Sequence, residues 1–174
     1  MKSEGIPESR LTVAAVERRL TSELEPLGFV SVKSRSLKLV KPINNDTEVF
    51  LYAGAMRDGA EVRIDPVIGV DNVTLRERLL TTDRQRWKGS YRVCHAGLGI
   101  LASWNRFFVG TSAELDRAAA QIVKSVIEVG LPIMSEFDTL DKVRRLFRDE
   151  LANNKQAKVV VLFAKEKLAQ IEAH

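Results

Sequence analysis

The chain holds one cysteine, Cys94, directly beside His95, one of its two histidines. A cysteine and a histidine within hydrogen-bond reach can form a nucleophile and its general base. The surrounding sequence, YRVCHAGLGIL, predicts a β-strand, and consecutive residues of a strand point to opposite faces of a sheet. Cys94 and His95 therefore cannot act together, and we interpret Cys94 as a small core residue.

The sequence contains no other convincing catalytic or metal-binding pattern. The second histidine, His174, is the last residue, so zinc would find neither a His pair nor a second cysteine. The GLG of residues 97–99 lacks the third glycine of a phosphate loop, and we interpret it as a hairpin feature that does not open a helix. Asp65 and Asp71 could form a carboxylate pair for acid–base catalysis. We favour the simpler interpretation that Asp65 lies on a solvated strand face and Asp71 caps a helix. We expect no enzyme, no cofactor and no metal, with His95 the one histidine left as a possible site residue.

Length and composition are those of a single soluble domain. A chain of 174 residues, 45% hydrophobic and 29% charged, can bury a core without disulfides. We expect one domain over residues 1–174, with 1–8 flexible. The N-terminal MKSEGIPESR has no apolar run for a signal peptide or membrane span, and a lone cysteine suits a reducing compartment, so we expect a cytoplasmic protein. The net charge of +4 leaves the partner open.

The N-terminal half predicts one helix followed by four strands. Apolar residues at helical spacing place the helix at about 11–25, with Ser9 as its N-cap and Pro26 and Gly28 at its end. After two short strands, Asp58 and Gly59 fit the two-residue turn of a long hairpin. Its first arm is apolar on both faces and should therefore be a central strand.

The middle of the chain predicts a short helix, capped by Asp71 or Asn72, and then two strands at about 91–98 and 104–109. Together with three C-terminal helices, this order predicts an α+β fold. We expect a twisted antiparallel sheet of about five to six strands, with helices gathered on one face or end.

The three C-terminal helices have clear boundaries in the sequence. Thr111 and Glu114 have the spacing of a capping box, and Gly130 and Pro132 should end that helix. Asp138 should cap the next helix. The last contains VVVLF at 159–163, which has strand propensity, but a helical stripe over four turns favours helix. The outer face of the second helix is basic, with Arg144, Arg145 and Arg148.

The clearest functional signal is a basic segment that ends at the predicted strand 91–98. It contains Arg76, Arg78, Arg84, Arg86, Trp87, Lys88 and Arg92, against only Glu77 and Asp83. Arginine combined with tryptophan is typical of protein interface hot spots and also of single-stranded nucleic-acid platforms. The simpler alternative is a solvated loop with Trp87 packed back on the protein. We predict that the partner-binding residues are Arg84, Arg86, Trp87, Lys88 and Arg92.

A second aromatic cluster, SWNRFF at 103–108, follows the strand that contains Cys94. Large aromatic side chains are rarely left exposed. We therefore interpret this cluster as core and not as a contact surface.

Several short motifs resemble those of a group of small bacterial domains. They are PLGF at 26–29, the glycine-bearing strand leading to SWNRFF, the capped helix after it, and GLPIMSEFDTLDKV from Gly130. The resemblance covers about residues 11–151. Several members of that group look like immunity proteins encoded beside polymorphic or contact-delivered toxins. This chain departs from the pattern by having one tryptophan, Trp104, where neighbouring tryptophans are common, and by its basic charge. The resemblance implies no catalytic residues.

We therefore expect an immunity protein that neutralises a cognate toxin domain by covering its active site. The alternative is a nucleic-acid-binding accessory protein that uses the segment from Arg76 to Arg92 on phosphates. An excess of arginine fits a toxin with an acidic cleft better than a basic nuclease. Binding to a membrane is not expected.

Overall fold

The structure is a computed structural model that describes residues 10–32, 36–72, 95–139 and Lys142, and the backbone of residues 92–94. Within these residues, an N-terminal helix, antiparallel strands and a C-terminal helical region make up the fold. The predicted α+β class is confirmed.

The first helix, α1 (Val13–Leu24), lies where the apolar spacing places it. Its N-cap is Thr12, whose hydroxyl accepts a hydrogen bond from the Ala15 N–H at 3.2 Å. The prediction of Ser9 as the cap is wrong, because the residue that precedes the first helical turn is Thr12. A 3-10 turn at Glu25–Leu27 and Gly28, with φ of +86°, end the helix as predicted.

Eight strands are present among the described residues. They are β1 (Val30–Val32), β2 (Lys38–Pro42), β3 (Thr47–Tyr52), β4 (Ala55–Asp58), β5 (Glu61–Ile64), β6 (Val67–Asn72), β7 (Arg92–Gly97) and β8 (Phe107–Val109). The larger sheet has the order β1-β2-β3-β6-β7 and the smaller one β4-β5-β8. All pairs are antiparallel. The larger sheet has five strands, within the predicted range, and the second sheet of three strands was not predicted.

One long hairpin that bends in its middle joins the two sheets. Its first arm runs from β3 into β4, and its second arm runs from β5 into β6, so each arm contributes to both sheets. The first arm bends at Gly54, where φ is +59° and a Cβ would lie 2.1 Å from the Asp65 carbonyl oxygen. Pro66 breaks the second arm at the same level, since it lies between β5 and β6 and has no N–H to donate. Both Gly54 and Pro66 are visible in the sequence. The alternation of side chains along each arm, taken alone, nevertheless predicts two uninterrupted strands.

The hairpin turn itself is one residue displaced from its prediction. Asp58 pairs with Glu61, so the two turn residues are Gly59 and Ala60 and not Asp58 and Gly59. Gly59 adopts a φ of +60°, which favours glycine. The central position of the first arm is confirmed for β3, which lies between β2 and β6.

A short helix, α2 (Leu98–Ala102), directly follows β7, with Gly97 as its N-cap. The interpretation of GLG as a hairpin feature that opens no helix is therefore wrong. The chain after this helix folds back onto Gly99. The Trp104 N–H donates to the Gly99 carbonyl at 2.9 Å. The approach is close, since a Cβ on Gly99 would lie 2.7 Å from the Trp104 carbonyl oxygen. The strand predicted at 104–109 is accordingly shorter, because its first residues form this return.

The longest helix, α3 (Ser112–Ser125), begins with the predicted capping box, which is confirmed. The Glu114 N–H donates to Thr111 Oγ1 at 3.3 Å, and Glu114 Oε2 accepts from the N–H groups of Thr111 at 3.0 Å and Gly110 at 2.9 Å. These hydrogen bonds to the charged carboxylate lower the pKa of Glu114, the bond from Gly110 most of all.

The predicted end of this helix at Gly130 and Pro132 is wrong. A π-helical turn, Val126–Gly130, carries the chain into α4 (Leu131–Ser135). Pro132 lies in the first turn of α4, directly after the π-helical turn. Gly130 allows the helix to approach the larger sheet, since a Cβ there would lie 2.7 Å from Ile68 Cδ1.

The core lies where α1 and α3 pack together and cover one face of each sheet. The helical run Ser112–Ser135 is long and apolar enough to cross a membrane by length and composition. In the fold, its apolar stripe is buried in this core. The buried aliphatic residues of α1, α3 and the sheets include Val16, Leu20, Leu24, Leu39, Val49, Leu51, Val62, Ile64, Ile68, Val70, Leu115 and Ile122.

The helix that Asp138 was predicted to cap lies outside the described residues, apart from Lys142. Thr139 Oγ1 accepts a hydrogen bond from the Lys142 N–H at 3.2 Å, whereas the Asp138 carboxylate forms an ion pair with Lys142 Nζ at 3.0 Å. The basic helix face predicted at Arg144, Arg145 and Arg148 lies outside the described residues. So does the segment 159–163 of the last predicted helix.

Candidate functional site

The basic segment predicted to bind the partner connects two neighbouring strands of the larger sheet. It leaves after Asn72, the last residue of β6, and it returns at Arg92, the first residue of β7. Asp71 and Arg92 are cross-strand partners beside a register shift in this ladder. Both ends of the segment are therefore fixed at one end of a five-stranded sheet. Of the predicted site residues, Arg92 lies in β7, and Arg84, Arg86, Trp87 and Lys88 lie outside the described residues.

A polar cleft of about 520 Å³ opens at the same end of the sheet. Its walls come from the turn between β2 and β3, from the end of β6 and from the residues after α4. The lining residues are Asn44, Asn45, Asp46, Thr47, Asn72, Asp138 and Thr139. Sequence analysis missed this cleft, because its walls are far apart in the chain and meet only through the fold.

Three hydrogen bonds connect the walls of this cleft. The Asp138 carbonyl accepts from Thr47 Oγ1 at 2.7 Å and from Asn44 Nδ2 at 3.0 Å. Thr47 Oγ1 in turn accepts from Asn72 Nδ2 at 3.0 Å, and both of these side chains are buried. Asn72, where the basic segment begins, is thus bonded to the neighbouring strand and through it to the C-terminal region. Buried polar groups that satisfy one another make a rigid support.

A cluster of charged side chains lies on the larger sheet, beside the cleft. Glu48 of β3 and Asp71 of β6 are cross-strand partners, an unfavourable pairing of like charges. Lys38 of β2 compensates it: its Nζ lies 3.1 Å from Asp71 Oδ2 and 3.8 Å from Glu48 Oε1. The same Nζ lies 5.5 Å from the ring centre of Phe50 and 5.9 Å from that of Tyr52, within cation–π range.

The roles predicted for Asp71 and Asp65 change accordingly. Asp71 is the fifth residue of β6, is buried and pairs with Lys38, so its prediction as a helix cap is wrong. Asn72, the alternative cap, is also a strand residue, and the helix predicted after it lies outside the described residues. Asp65 precedes β6 and Asp71 lies near its other end, so the strand separates the two carboxylates. A working acid–base pair is therefore excluded for these two residues.

Cys94 and His95 occupy consecutive positions of β7, opposite Val70 and Gly69 of β6. The prediction that both residues lie in one β-strand is confirmed. Within the described part of the chain, no group of three His, Cys, Asp or Glu side chains is placed to hold a metal ion.

The aromatic cluster at 103–108 divides between core and surface. Trp104 and Phe107 pack against the core with ring centres 4.7 Å apart, and Trp104 Nε1 donates to Ser125 Oγ of α3 at 2.9 Å. The core interpretation is confirmed for these two residues. It is wrong for Phe108, which is 46% exposed, because alternation in β8 turns it away from Phe107.

No family model, curated protein or solved structure matches this chain. The resemblance to bacterial immunity domains therefore stays a prediction based on the short motifs of the sequence.

Proposed function

We propose that this protein is an immunity protein that binds a cognate bacterial toxin domain in the cytoplasm and covers its active site. The observation that supports the proposal is the basic segment with Trp87, attached at both ends to neighbouring strands of the larger sheet. Loops on a rigid scaffold are common binding elements, because the scaffold limits the entropy lost when they bind.

The mechanism we propose is steric occlusion assisted by charge. The arginines from Arg76 to Arg92 repel one another, which opposes folding slightly, and neither strand pairing nor core packing requires them. An acidic partner surface would use this charge for rapid encounter and for specificity, and Trp87 would supply buried area at the centre of the contact. The partner surface that fits best is therefore acidic around an apolar centre.

The same charges favour a second candidate function, binding to nucleic acid through phosphates. The two candidates differ in their response to salt. Binding that neutralises six or more phosphates weakens by about 10³-fold or more between 50 and 200 mM salt, because counterions are released. A protein interface with an apolar centre should weaken much less over that range.

The test is a calorimetric titration of the protein with the toxin domain encoded directly upstream, at low and at physiological salt. We expect Arg86→Glu and Trp87→Ala to weaken binding by at least about 2 kcal/mol each, the usual threshold of a hot spot. Arg18→Glu, which makes the same charge change at an exposed position of α1, is the matched control and should bind normally.

Thermal melts of all three variants accompany the titrations. Tight binding of generic oligonucleotides at physiological salt would favour the second candidate and overturn the first. A large fall in the melting temperature of Trp87→Ala would show that Trp87 is a core residue. Unchanged affinity in both loop variants would exclude the segment as the interface.

A further inference from the structure

The outer face of the smaller sheet exposes an apolar row. Met56 of β4, Arg63 of β5 and Phe108 of β8 are cross-strand partners and so point to the same side. Met56 is 47% exposed and Phe108 is 46% exposed. Methionine, phenylalanine and arginine are the residue types enriched in the centres of protein interfaces. The row therefore has the composition of a contact surface.

This face also carries the charged residues Asp58, Glu61 and Arg63. Arg63 Nη2 donates to the Met56 sulfur, a weak acceptor, at 2.6 Å, and the buried Arg63 Nε has no acceptor. Asp58 and Glu61 are cross-strand partners at the hairpin turn, where their like charges repel. None of these three residues takes part in the ion pairs of the described residues. An arginine that has no ion-pair partner among the described residues and an acidic pair thus lie two positions apart on one face.

We propose that this face binds a second copy of the chain about a two-fold axis. A two-fold axis that lies between the two facing sheets, parallel to them and perpendicular to β5 at the level of Val62, places Arg63 of each protomer opposite the partner's Glu61. Two ion pairs form by symmetry, and each guanidinium also approaches the partner's Asp58. Phe108 then packs over the partner's Gly110, which has no side chain to obstruct it.

The charge pattern favours a second copy over other occupants of this face. Its positive and negative groups are arranged so that the two-fold image of the face complements the face itself. A nucleic acid would be repelled by Asp58 and Glu61. The contact is small, since the sheet has three strands of three or four residues, so the dimer is expected to be weak and concentration-dependent. We expect association in the range of about 0.1 to 1 mM protein.

A charge exchange tests this geometry. Sedimentation equilibrium at low salt would compare the full chain with Arg63→Glu, Glu61→Arg and the double variant. Each single change places like charges opposite each other and should weaken association at least about tenfold. The double variant restores both ion pairs with reversed polarity and should return to within about threefold of the original. Arg18→Glu, on an exposed face of α1, is the control for a change in net charge.

Thermal melts report on folding, and sedimentation equilibrium reports on association. Thermal melts should show all variants folded, because the changed side chains lie on the outer face of the sheet. A protein that stays monomeric at 1 mM, a concentration at which about half of a millimolar dimer forms, would overturn the proposal. A double variant that associates no better than the single ones would also overturn it. Neither outcome bears on the binding of a toxin by the basic segment.

Discussion

Gly54 and Asp65 face each other across the bend of the long hairpin, and the Asp65 N–H donates to the Gly54 carbonyl at 3.4 Å. The approach is so close that a Cβ on Gly54 would lie 2.1 Å from the Asp65 carbonyl oxygen. At this contact both arms of the hairpin pass from one sheet to the other. It therefore couples the larger sheet, which carries the basic segment, to the smaller sheet, which carries the exposed row of Met56, Arg63 and Phe108.

Gly54→Ala should destabilise the protein by at least about 2 kcal/mol, because the new methyl group meets backbone and φ is +59°. Gly59→Ala is the matched control. Gly59 has a φ of +60° but nothing within 4 Å of the new Cβ, so only backbone strain of about 1 kcal/mol is expected. Urea unfolding of the two variants measures the difference. Equal losses of stability would contradict the close approach at the bend.

The capping box of α3 should make stability depend on acid pH. The pKa of Glu114 is lowered by hydrogen bonds from Gly110 and Thr111, so its contribution is fully present above the ordinary carboxyl pKa of about 4.3. The contribution is lost as the pH falls through the lower pKa of the folded protein. The melting temperature of Glu114→Gln should therefore lie below that of the unchanged chain at neutral pH, and the two should converge in acid.

Glu25→Gln, at an exposed position, is the control for this measurement and should follow the unchanged chain at every pH. A gap for Glu114→Gln that stays constant from pH 7 to about pH 2 would show that the charge of Glu114 has no role in the cap.

The cluster of Lys38, Glu48 and Asp71 should behave as a coupled unit. Lys38→Met leaves a buried carboxylate opposite a second one and should destabilise by about 2–3 kcal/mol. Adding Asp71→Asn removes that unpaired charge, so the double variant should be more stable than the sum of the single losses by at least about 1 kcal/mol. Denaturant unfolding of the cycle measures the coupling. Additive losses would mean that the pair has no net interaction.

Lys124→Met is a suitable control for this cycle. Lys124 pairs with Glu128 at 4.0 Å, and both side chains are more than half exposed. Exposed pairs of this kind contribute at most about 1 kcal/mol and are often neutral.

The local signals of the sequence predicted much of the fold. The stripe of α1, the stop at Gly28 and the capping box at Thr111 each depend on residues within a few positions of one another, and all three are confirmed. The predictions are wrong where a contact between residues far apart in the chain determines the local structure. Asp71 has a good capping sequence, but Lys38 on another strand holds it in β6. Glycine is a common helix terminator, but Gly130 lies within a continuous helical run, where its missing side chain leaves room for Ile68 Cδ1.

The site was predictable only in part for the same reason. Its composition is visible as a run of basic residues with Trp87, and its attachment to adjacent strands follows from the sheet order. The polar cleft beside it depends on a hydrogen bond from Thr47 to the Asp138 carbonyl, a contact between residues far apart in the chain. The exposed row on the smaller sheet was missed because the break at Gly54 assigns Met56 to a different sheet from Phe50.

The basic segment is attached to the larger sheet at two residues that are themselves paired. Asp71 and Arg92 are already neighbours across the sheet, so a short turn between β6 and β7 can close the ladder without the intervening residues. Under the proposed function, a lineage that carries this scaffold would change what the protein recognises by exchanging the residues between these two positions, while β6 and β7 stay paired.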